Sequence, residues 1–211
     1  GSTFTFQFPG EAETQDFYVP LIGRHNIENA IVAISIAVML NYKSEAIAAA
    51  FKSLPQVPGR MERISSAQGW HAFVDYAHTP DALEQSISSL KQLCTGKLWV
   101  LFGCGGDRDR KKRPQMGAIA YEHADGVWIN SDNPRSENPV QIIDDILTGL
   151  PAKCHKPIQH IVDRRVAILS AAKSLNDGDV LLVAGKGHET YQIIDGIKYH
   201  FDDREEIRKY C

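Results

Sequence analysis

The amino-acid sequence predicts an α/β fold whose larger, C-terminal part contains a mostly parallel sheet. After a segment rich in proline and glycine at residues 55–59, short apolar runs alternate with stretches of helical periodicity. Strands that alternate with helices of this length are typical of a Rossmann-like parallel sheet. Thr79 and Pro80 suit the N-cap and first position of one helix. The predicted strands cover 72–74, 98–102, 127–129 and 180–184, and the predicted helices cover 80–93, 115–124, 140–150 and 164–175.

Residues 1–58 predict a smaller unit of strands followed by helices. Aromatic and polar residues alternate between residues 3 and 8, as in a half-buried strand, and a second short strand is expected at 17–20. The segment 26–42 is apolar on nearly every side, so we expect a deeply buried helix there. A second helix is expected at 44–54, with Ser44 as its N-cap. The prolines and glycine of residues 55–59 then mark the boundary between the two parts.

The composition argues against several classes of protein. The chain has 23 Lys and Arg against 26 Asp and Glu, a formal net charge of −3, which argues against general binding to nucleic acids or anionic membranes. Its longest apolar run, residues 30–40, is shorter than the roughly 20 residues of a membrane-spanning helix, and no secretory signal is visible. The four cysteines include no C-x-x-C pair, so we expect reduced thiols in a cytoplasmic protein.

Each predicted strand of the larger part runs directly into a polar or glycine-rich segment. Because the carboxyl ends of parallel strands meet at one edge of a sheet, we expect these segments to converge on one crevice. Their arginines, lysine, histidines and carboxylates would suit a zwitterionic or multiply charged small molecule. The segments are residues 75–78, 103–108, 132–135 and 185–189.

Each of these segments also has a plainer interpretation. Residues 103–106 are not a dinucleotide fingerprint, because Arg108 stands where its third glycine would be, and no phosphate-binding loop occurs in the sequence. A tight turn would explain these glycines equally well. The five cations between Arg108 and Arg113 could form a solvated loop or a nucleic-acid patch, or could place Arg108 in the crevice. Residues 132–135 could be a simple turn, or a rigid turn that presents Arg135 to a carboxylate. Glu189 could be solvated, or could hold an ammonium group.

Six longer motifs occur in order from about residue 20 to the end of the chain. Together they resemble the Mur ligases of peptidoglycan synthesis, and within that family the ligase that adds the third amino acid of the stem peptide. The motifs are Gly23-Arg24-His25-Asn26-Ile27-Glu28-Asn29, Gly59-Arg60-Met61-Glu62-Arg63, Asp75-Tyr76-Ala77-His78-Thr79-Pro80-Asp81, Gly105-Gly106-Asp107-Arg108-Asp109 with Lys112-Arg113-Pro114, Ser131-Asp132-Asn133-Pro134-Arg135, and Gly185-Lys186-Gly187-His188-Glu189.

This resemblance implies a chemistry and a set of site residues. ATP would activate the terminal carboxylate of a UDP-muramoyl dipeptide as an acyl phosphate, with Mg²⁺ present, and an incoming amine would then form the amide. The Asp-Asn-Pro-Arg turn would mark specificity for meso-diaminopimelate over lysine. The residues implied for the amino acid are Arg108, Asp132, Asn133, Pro134, Arg135, Gly185 and Glu189, and those implied for the nucleotide are Asn26, with His25 nearby, Arg60 and Asp75.

The resemblance also implies how much of such a ligase the chain contains. Residues 1–58 would be the C-terminal portion of the central ATP-binding domain, and residues 59–211 the complete C-terminal, amino-acid-binding domain. The phosphate loop, the metal-binding residues and the catalytic residues lie outside these motifs, so we expect the chain to be inactive by itself and to bind no metal of its own. The expected partners are small molecules, without nucleic acid or membrane, and the expected state is a monomer. The alternatives are a lysine-adding or folylpolyglutamate-type ligase, or a non-catalytic amino-acid-binding module.

Overall fold

The computed structural model describes residues 1–211, apart from the side chain of His25. The chain divides into two compact units, Gly1–Val57 and Pro58–Cys211, each with its own hydrophobic core. None of the described helices is both long and apolar enough to cross a membrane.

The first unit is a hairpin packed against two helices. β1 (Ser2–Gln7) and β2 (Thr14–Val19) are antiparallel, and α1 (Arg24–Met39) and α2 (Ser44–Lys52) follow them. The alternation of exposed and half-buried residues along β1 confirms the strand that the aromatic pattern predicts. The core of this unit is small and consists of Phe8, Phe17, Ile34, Ile47 and Ala48.

Two predictions for this unit are wrong. α1 is not deeply buried, because β1 and α2 cover only one of its sides. Its opposite side leaves Val32, Ile36 and Met39 exposed, Met39 by 81%. Ser44 is not a cap either. It is the first helical residue, and Lys43 at the N-cap position makes no capping hydrogen bond through its side chain.

The second unit is an α/β unit with one large sheet and a separate hairpin. Its strands are β3 (Glu62–Ser65), β4 (His71–Asp75), β5 (Leu98–Phe102), β6 (Gly126–Ile129), β7 (Ile158–His160), β8 (Val180–Ala184), β9 (Tyr191–Ile194) and β10 (Ile197–His200), and its helices are α3 (Pro80–Lys91), α4 (Lys112–His123), α5 (Pro139–Leu147), α6 (Arg164–Ser174) and α7 (Asp203–Arg208). The sheet order is β3-β4-β8-β5-β6-β7. β4 to β8 are parallel, whereas β3 is an antiparallel edge strand.

The predicted fold class and the predicted elements of this unit are confirmed. All four predicted strands and all four predicted helices are present, with ends that differ by a few residues. Thr79 accepts a hydrogen bond from the Ala82 amide as the N-cap of α3, and Pro80 begins the helix. The edge strands β3 and β7, the β9–β10 hairpin and α7 are additions to the prediction.

The arrangement of the sheet brings four strand ends together. Every residue of β8 is buried, and β8 lies between β4 and β5 at the centre of the sheet. α6 and α7 pack on one face of the sheet through a core that includes Leu181, Val183, Ile168 and Ile207. β6 lies next to β5, so the carboxyl ends of β4, β8, β5 and β6 are neighbours along one edge.

Candidate functional site

Main-chain hydrogen bonds join the four segments that follow these strands. The Gly185 amide donates to the Asp75 carbonyl at 3.1 Å, which joins the ends of β8 and β4. The Gly106 amide donates to the Asn133 carbonyl at 2.9 Å, which joins the segments after β5 and β6. These bonds join the segments in two pairs, and Lys186 Nζ, 3.3 Å from Asp132 Oδ1, connects the two pairs into one edge, as the predicted topology requires.

A buried lysine lies at the centre of this edge. Lys186 is fully buried, and its Nζ lies 3.3 Å from Asp132 Oδ1, 3.1 Å from Asn133 Oδ1 and 3.3 Å from Glu189 Oε2. Asn133 Nδ2 also donates to Glu189 Oε2 at 2.9 Å. Two carboxylates surround one ammonium group, so the cluster carries one uncompensated negative charge. A cluster of this kind can attract a second ammonium group.

Two arginines flank residues 103–107 after β5, which we call the glycine loop. Arg135 Nη1 donates to the Gly106 carbonyl at 2.7 Å, and Arg108 Nη1 donates to the Asp107 carbonyl at 3.0 Å. A Cβ atom added to Gly105 would lie 2.8 Å from Arg135 Nη1 and 3.7 Å from Arg108 Cγ. Among the described side chains, neither guanidinium has a carboxylate within ion-pair distance. Both can therefore bind a carboxylate of a ligand, and Gly105 leaves room for it.

The recognition turn, residues 132–135, is held by the β9–β10 hairpin. The Arg135 amide donates to the Ile193 carbonyl at 3.1 Å, and the Asp195 amide donates to the Arg135 carbonyl at 2.8 Å. The Ile193 amide in turn donates to Asn133 Oδ1 at 2.9 Å. The turn thus has main-chain and side-chain bonds to the hairpin as well as to the glycine loop. Pro134 lies within it, buried.

Three cations of the basic run have hydrogen-bond or ion-pair partners elsewhere in the second unit. Arg113 is fully buried between Glu137 and Asp145, Arg110 pairs with the same two carboxylates, and Lys112 Nζ donates to the His78 carbonyl at 2.7 Å. Hydrogen bonds from Arg113 lower the pKa of Glu137 to about 2, against the opposing effect of burial. Arg108, Arg110 and Lys111 are exposed, so the interpretation as a solvated loop fits these three cations and fails for the buried Arg113.

The residues suggested for the nucleotide occupy different environments. Arg60 is exposed, and its guanidinium carbon lies 4.8 Å from the centre of the Tyr76 ring. Asp75 is buried, and its carboxylate accepts hydrogen bonds from the Met61 amide at 2.9 Å, the Ala77 amide at 3.1 Å and the Ser86 hydroxyl at 3.0 Å. Asp75 therefore shapes the loops beside it. Asn26 lies in the first unit, at the start of α1, where its side chain donates to the Ile22 carbonyl at 2.7 Å.

Tyr76 also connects two histidines at this edge. Its ring centre lies 4.7 Å from that of His78 and 5.4 Å from that of His188. With Arg60 these rings form a polar aromatic surface at the ends of β4 and β8. Among the described side chains, no group of three His, Cys, Asp or Glu residues is placed to hold a metal ion.

Arg113, Glu137 and Lys186, three residues of this edge, are not among the predicted site residues. Arg113 is hidden in sequence by the cations around it, and its partners Glu137 and Asp145 lie 24 and 32 residues away. Glu137 directly follows the recognition turn and Ser136, which is the only local signal of its role. Lys186 is different, because its position between two glycines after a buried strand already indicates a special environment.

The fold and this edge define a class of protein, namely an α/β unit that presents guanidinium, ammonium and carboxylate groups at the carboxyl ends of parallel strands. Within that class, residues 59–187 match the family described as Mur ligase, glutamate ligase domain. The chain therefore belongs to the Mur ligase family.

Two relatives and one solved structure are similar to the chain over most of its length. The chain is 50% identical to the UDP-N-acetylmuramoyl-L-alanyl-D-glutamate–2,6-diaminopimelate ligase of Thermosynechococcus vestitus over 191 residues. These residues are 90% of the chain and 38% of that protein. It is 43% identical to the ligase of the same name from Bacillus cereus, over 99% of the chain and 42% of that protein. A solved structure of a ligase of this name superposes with a TM-score of 0.72 at 42% identity, covering 93% of the chain and 40% of that structure. The chain thus spans about two fifths of the length of these relatives.

Proposed function

We propose that this chain is the amino-acid-binding part of an ATP-dependent ligase that adds meso-diaminopimelate to UDP-N-acetylmuramoyl-L-alanyl-D-glutamate in peptidoglycan synthesis. The new amide would join the carboxylate of the dipeptide to an amino group of diaminopimelate. The activity named for the similar ligases supports this proposal. We further propose that the ligase acts as a monomer in the cytoplasm, where free thiols such as its four cysteines persist.

The observation that carries the proposal is the pair of guanidinium groups at Gly105. Diaminopimelate differs from lysine by a carboxylate at the far end of its side chain. Arg135 and Arg108 lack a carboxylate partner among the described residues, and an arginine fork binds a carboxylate through two parallel hydrogen bonds. Where the bound ligand buries such a contact, removing one partner typically costs about 2–5 kcal/mol. A site of this kind would therefore bind lysine much more weakly.

One ammonium group of the amino acid would be held at the cluster of Lys186, Asp132, Asn133 and Glu189, which leaves the other amino group to form the amide. Glu189 and Asn133 already bond to each other and to Lys186, which fixes their positions before a ligand arrives. Asp132 compensates the charge of Lys186, so Glu189 keeps capacity to accept a hydrogen bond from an ammonium group. A Cβ atom added to Gly185 would lie 3.1 Å from Asp132 Oδ2, so the glycine keeps this side of the pocket open and its main chain would complete it.

For the nucleotide we propose a smaller contribution from this chain. ATP would supply the phosphoryl group that activates the dipeptide carboxylate, with Mg²⁺ as its counterion. Arg60 fits a phosphate contact, because it is exposed and its stacking on Tyr76 holds it in place. Asp75 would act near the ribose mainly by fixing the main chain on either side of it, and Asn26 would lie near the adenine. We assign no metal ligand to this chain.

Binding of the free amino acid to the 211-residue chain tests the site. We expect saturable amide shifts in an NMR titration with meso-diaminopimelate, and much smaller shifts with L-lysine. Arg135→Ala should weaken diaminopimelate binding roughly 30-fold or more, which corresponds to the lower end of the cost given above. Lys111→Ala, an exposed cation of the same basic run, is the matched control and should bind like the wild type. Equal affinity for lysine would favour the lysine-adding alternative.

Ligation by the complete enzyme that contains this chain tests the activity. The proposal predicts ADP release that depends on both the dipeptide substrate and diaminopimelate. A non-catalytic amino-acid-binding module would release no ADP, and a folylpolyglutamate-type ligase would accept glutamate instead.

A further inference from the structure

Arg113 connects the two segments that contain Arg108 and Arg135. Its Nη1 and Nη2 atoms donate to Glu137 Oε2 and Oε1 at 2.9 and 2.8 Å, so that the pair is bidentate. Nη2 also lies 3.3 Å from the Gly105 carbonyl oxygen, in the glycine loop, and Nη1 donates to Asp145 in α5 at 2.8 Å. A fully buried guanidinium thus reaches the glycine loop, Glu137 two residues after the recognition turn, and a neighbouring helix.

Glu137 extends this connection to both segments. Its Oε1 accepts from the Asp107 amide at 2.6 Å, directly before Arg108, and its own amide donates to the Pro134 carbonyl at 3.0 Å, directly before Arg135. Beside it, the Ser136 hydroxyl donates to Asp107 Oδ1 at 2.7 Å. Glu137 is therefore bonded to the residue that precedes each of the two arginines.

The main chain at both arginines needs such support. Asp107 and Arg135 each have φ = 53°, in the left-handed region that residues other than glycine seldom adopt. A conformation of this kind persists only where the surrounding bonds determine it. Glu137 and Ser136 bond to Asp107, and Glu137 also bonds to Pro134 beside Arg135. Ile193 and Asp195 of the β9–β10 hairpin bond to the main chain of Arg135 itself.

We propose that the Arg113–Glu137 pair is a positioning device, which sets the spacing between Arg108 and Arg135 and thereby selects a ligand whose far end is a carboxylate. The inference rests on the proposed function, because it concerns the same amino-acid site. Neither residue needs to touch the ligand. The pair acts through the two loops, so its loss should loosen the recognition of the far carboxylate and leave the nucleotide contacts as they are.

Steady-state kinetics of the complete ligase with Glu137→Gln test this role. Glutamine keeps the size of the side chain and an oxygen for the Asp107 amide, but it loses the charge and the bidentate pair. We expect the KM for diaminopimelate to rise about ten- to a hundredfold, because small displacements of positioned groups such as Arg108 and Arg135 have effects of this size. The preference for diaminopimelate over lysine should fall by a similar factor, with kcat and the KM for ATP within about twofold of the wild type.

Asp145→Asn is the matched control. Asp145 is the other carboxylate on Arg113 and also pairs with Arg110, but it bonds to neither the glycine loop nor the recognition turn. It should lower the melting temperature about as much as Glu137→Gln and leave the selectivity unchanged. Unchanged selectivity in Glu137→Gln, or an equal loss in Asp145→Asn, would overturn the inference and leave a purely structural ion pair. The wild type decides the proposed function separately, because a wild-type enzyme that does not prefer diaminopimelate would contradict that proposal itself.

Discussion

Glu137 is the residue whose charge most clearly matters for the loops around it. Hydrogen bonds from Arg113 lower its pKa from 4.5 to about 2, burial opposes this shift, and the Asp107 amide adds to it. Since the pKa is lowered in the folded chain, the unfolded chain binds this proton more readily. The stabilisation from Glu137 is therefore complete above pH 4.5 and is lost as the pH falls toward 2.

The pH dependence of unfolding checks this consequence. We expect Glu137→Gln to reduce the free energy of unfolding at about pH 7, and the difference from the wild type to shrink markedly by about pH 3. Urea unfolding of both proteins at the two pH values measures it, and the other acidic residues cancel in the comparison. A difference that stays constant with pH would mean that the ion pair does not stabilise the fold.

Sequence reasoning at this scale finds the residues that a motif names and misses those that only contacts reveal. Arg108 and Arg135 follow predicted strands, so the topology alone brings them to one edge. Arg113 is one of five cations in the basic run, and its burial depends on carboxylates in another loop and another helix. The roles of the named site residues in binding remain predictions that the titration above will test.

Among the elements, α4 and α5 show how one glycine sets a helix packing distance. A Cβ atom on Gly117 of α4 would collide with the main-chain oxygen of Ile146 in α5. Alanine normally stabilises a helix by about 1 kcal/mol relative to glycine. Here the collision involves main chain, which cannot move aside as a flexible side chain can, so overpacking of about 1–3 kcal/mol should outweigh that gain.

We therefore expect Gly117→Ala to destabilise the chain. Thermal or urea unfolding measures the effect, and Ala118→Gly in the same helix provides the ordinary cost of a helical glycine, about 1 kcal/mol. An increase in stability on Gly117→Ala would show that α4 and α5 can separate freely.

The predictability of the elements follows their burial. The central strands read as continuous apolar runs because both faces of a parallel sheet are covered, and β8 is buried along its whole length. β7 and β10 are largely exposed, so they lack the apolar runs that would predict them. β3 places Glu62 in a buried position, where Gly59 donates to its carboxylate, and this polar residue obscures the pattern.

At the scale of the whole molecule, the two units differ in how well each fills its own core. The second unit has a large core around the sheet, whereas the first buries few large side chains and exposes one side of α1. Small units with little buried surface are marginally stable. We expect residues 58–211, produced alone, to unfold cooperatively, and residues 1–57 alone not to do so.

Tryptophan fluorescence offers a selective measurement of this difference. The three tryptophans, Trp70, Trp99 and Trp128, all belong to the second unit. Their unfolding curve in urea should have the same midpoint in the 211-residue chain and in residues 58–211. A much lower midpoint for residues 58–211 alone than for the 211-residue chain would contradict this expectation.

The overall α/β class could be predicted from the sequence because alternation of strand and helix is a local signal repeated along the chain. The exposure of α1 could not, because an apolar helix indicates that something covers it without indicating what. In the described chain the hairpin and α2 reach only one side of it.

The bonds between the recognition turn and the β9–β10 hairpin have a consequence for protein design. Residues 132–135 take their main-chain geometry from Ile193 and Asp195 as much as from their own sequence. Neighbouring residues of a strand direct their main-chain hydrogen-bonding groups to opposite edges. Inserting one residue into β9 would therefore turn the groups that bond to Arg135 away from it. Transferring the proposed specificity for diaminopimelate to another α/β scaffold would therefore require residues 191–200 together with the turn 132–135. The four residues of the turn would not be sufficient by themselves.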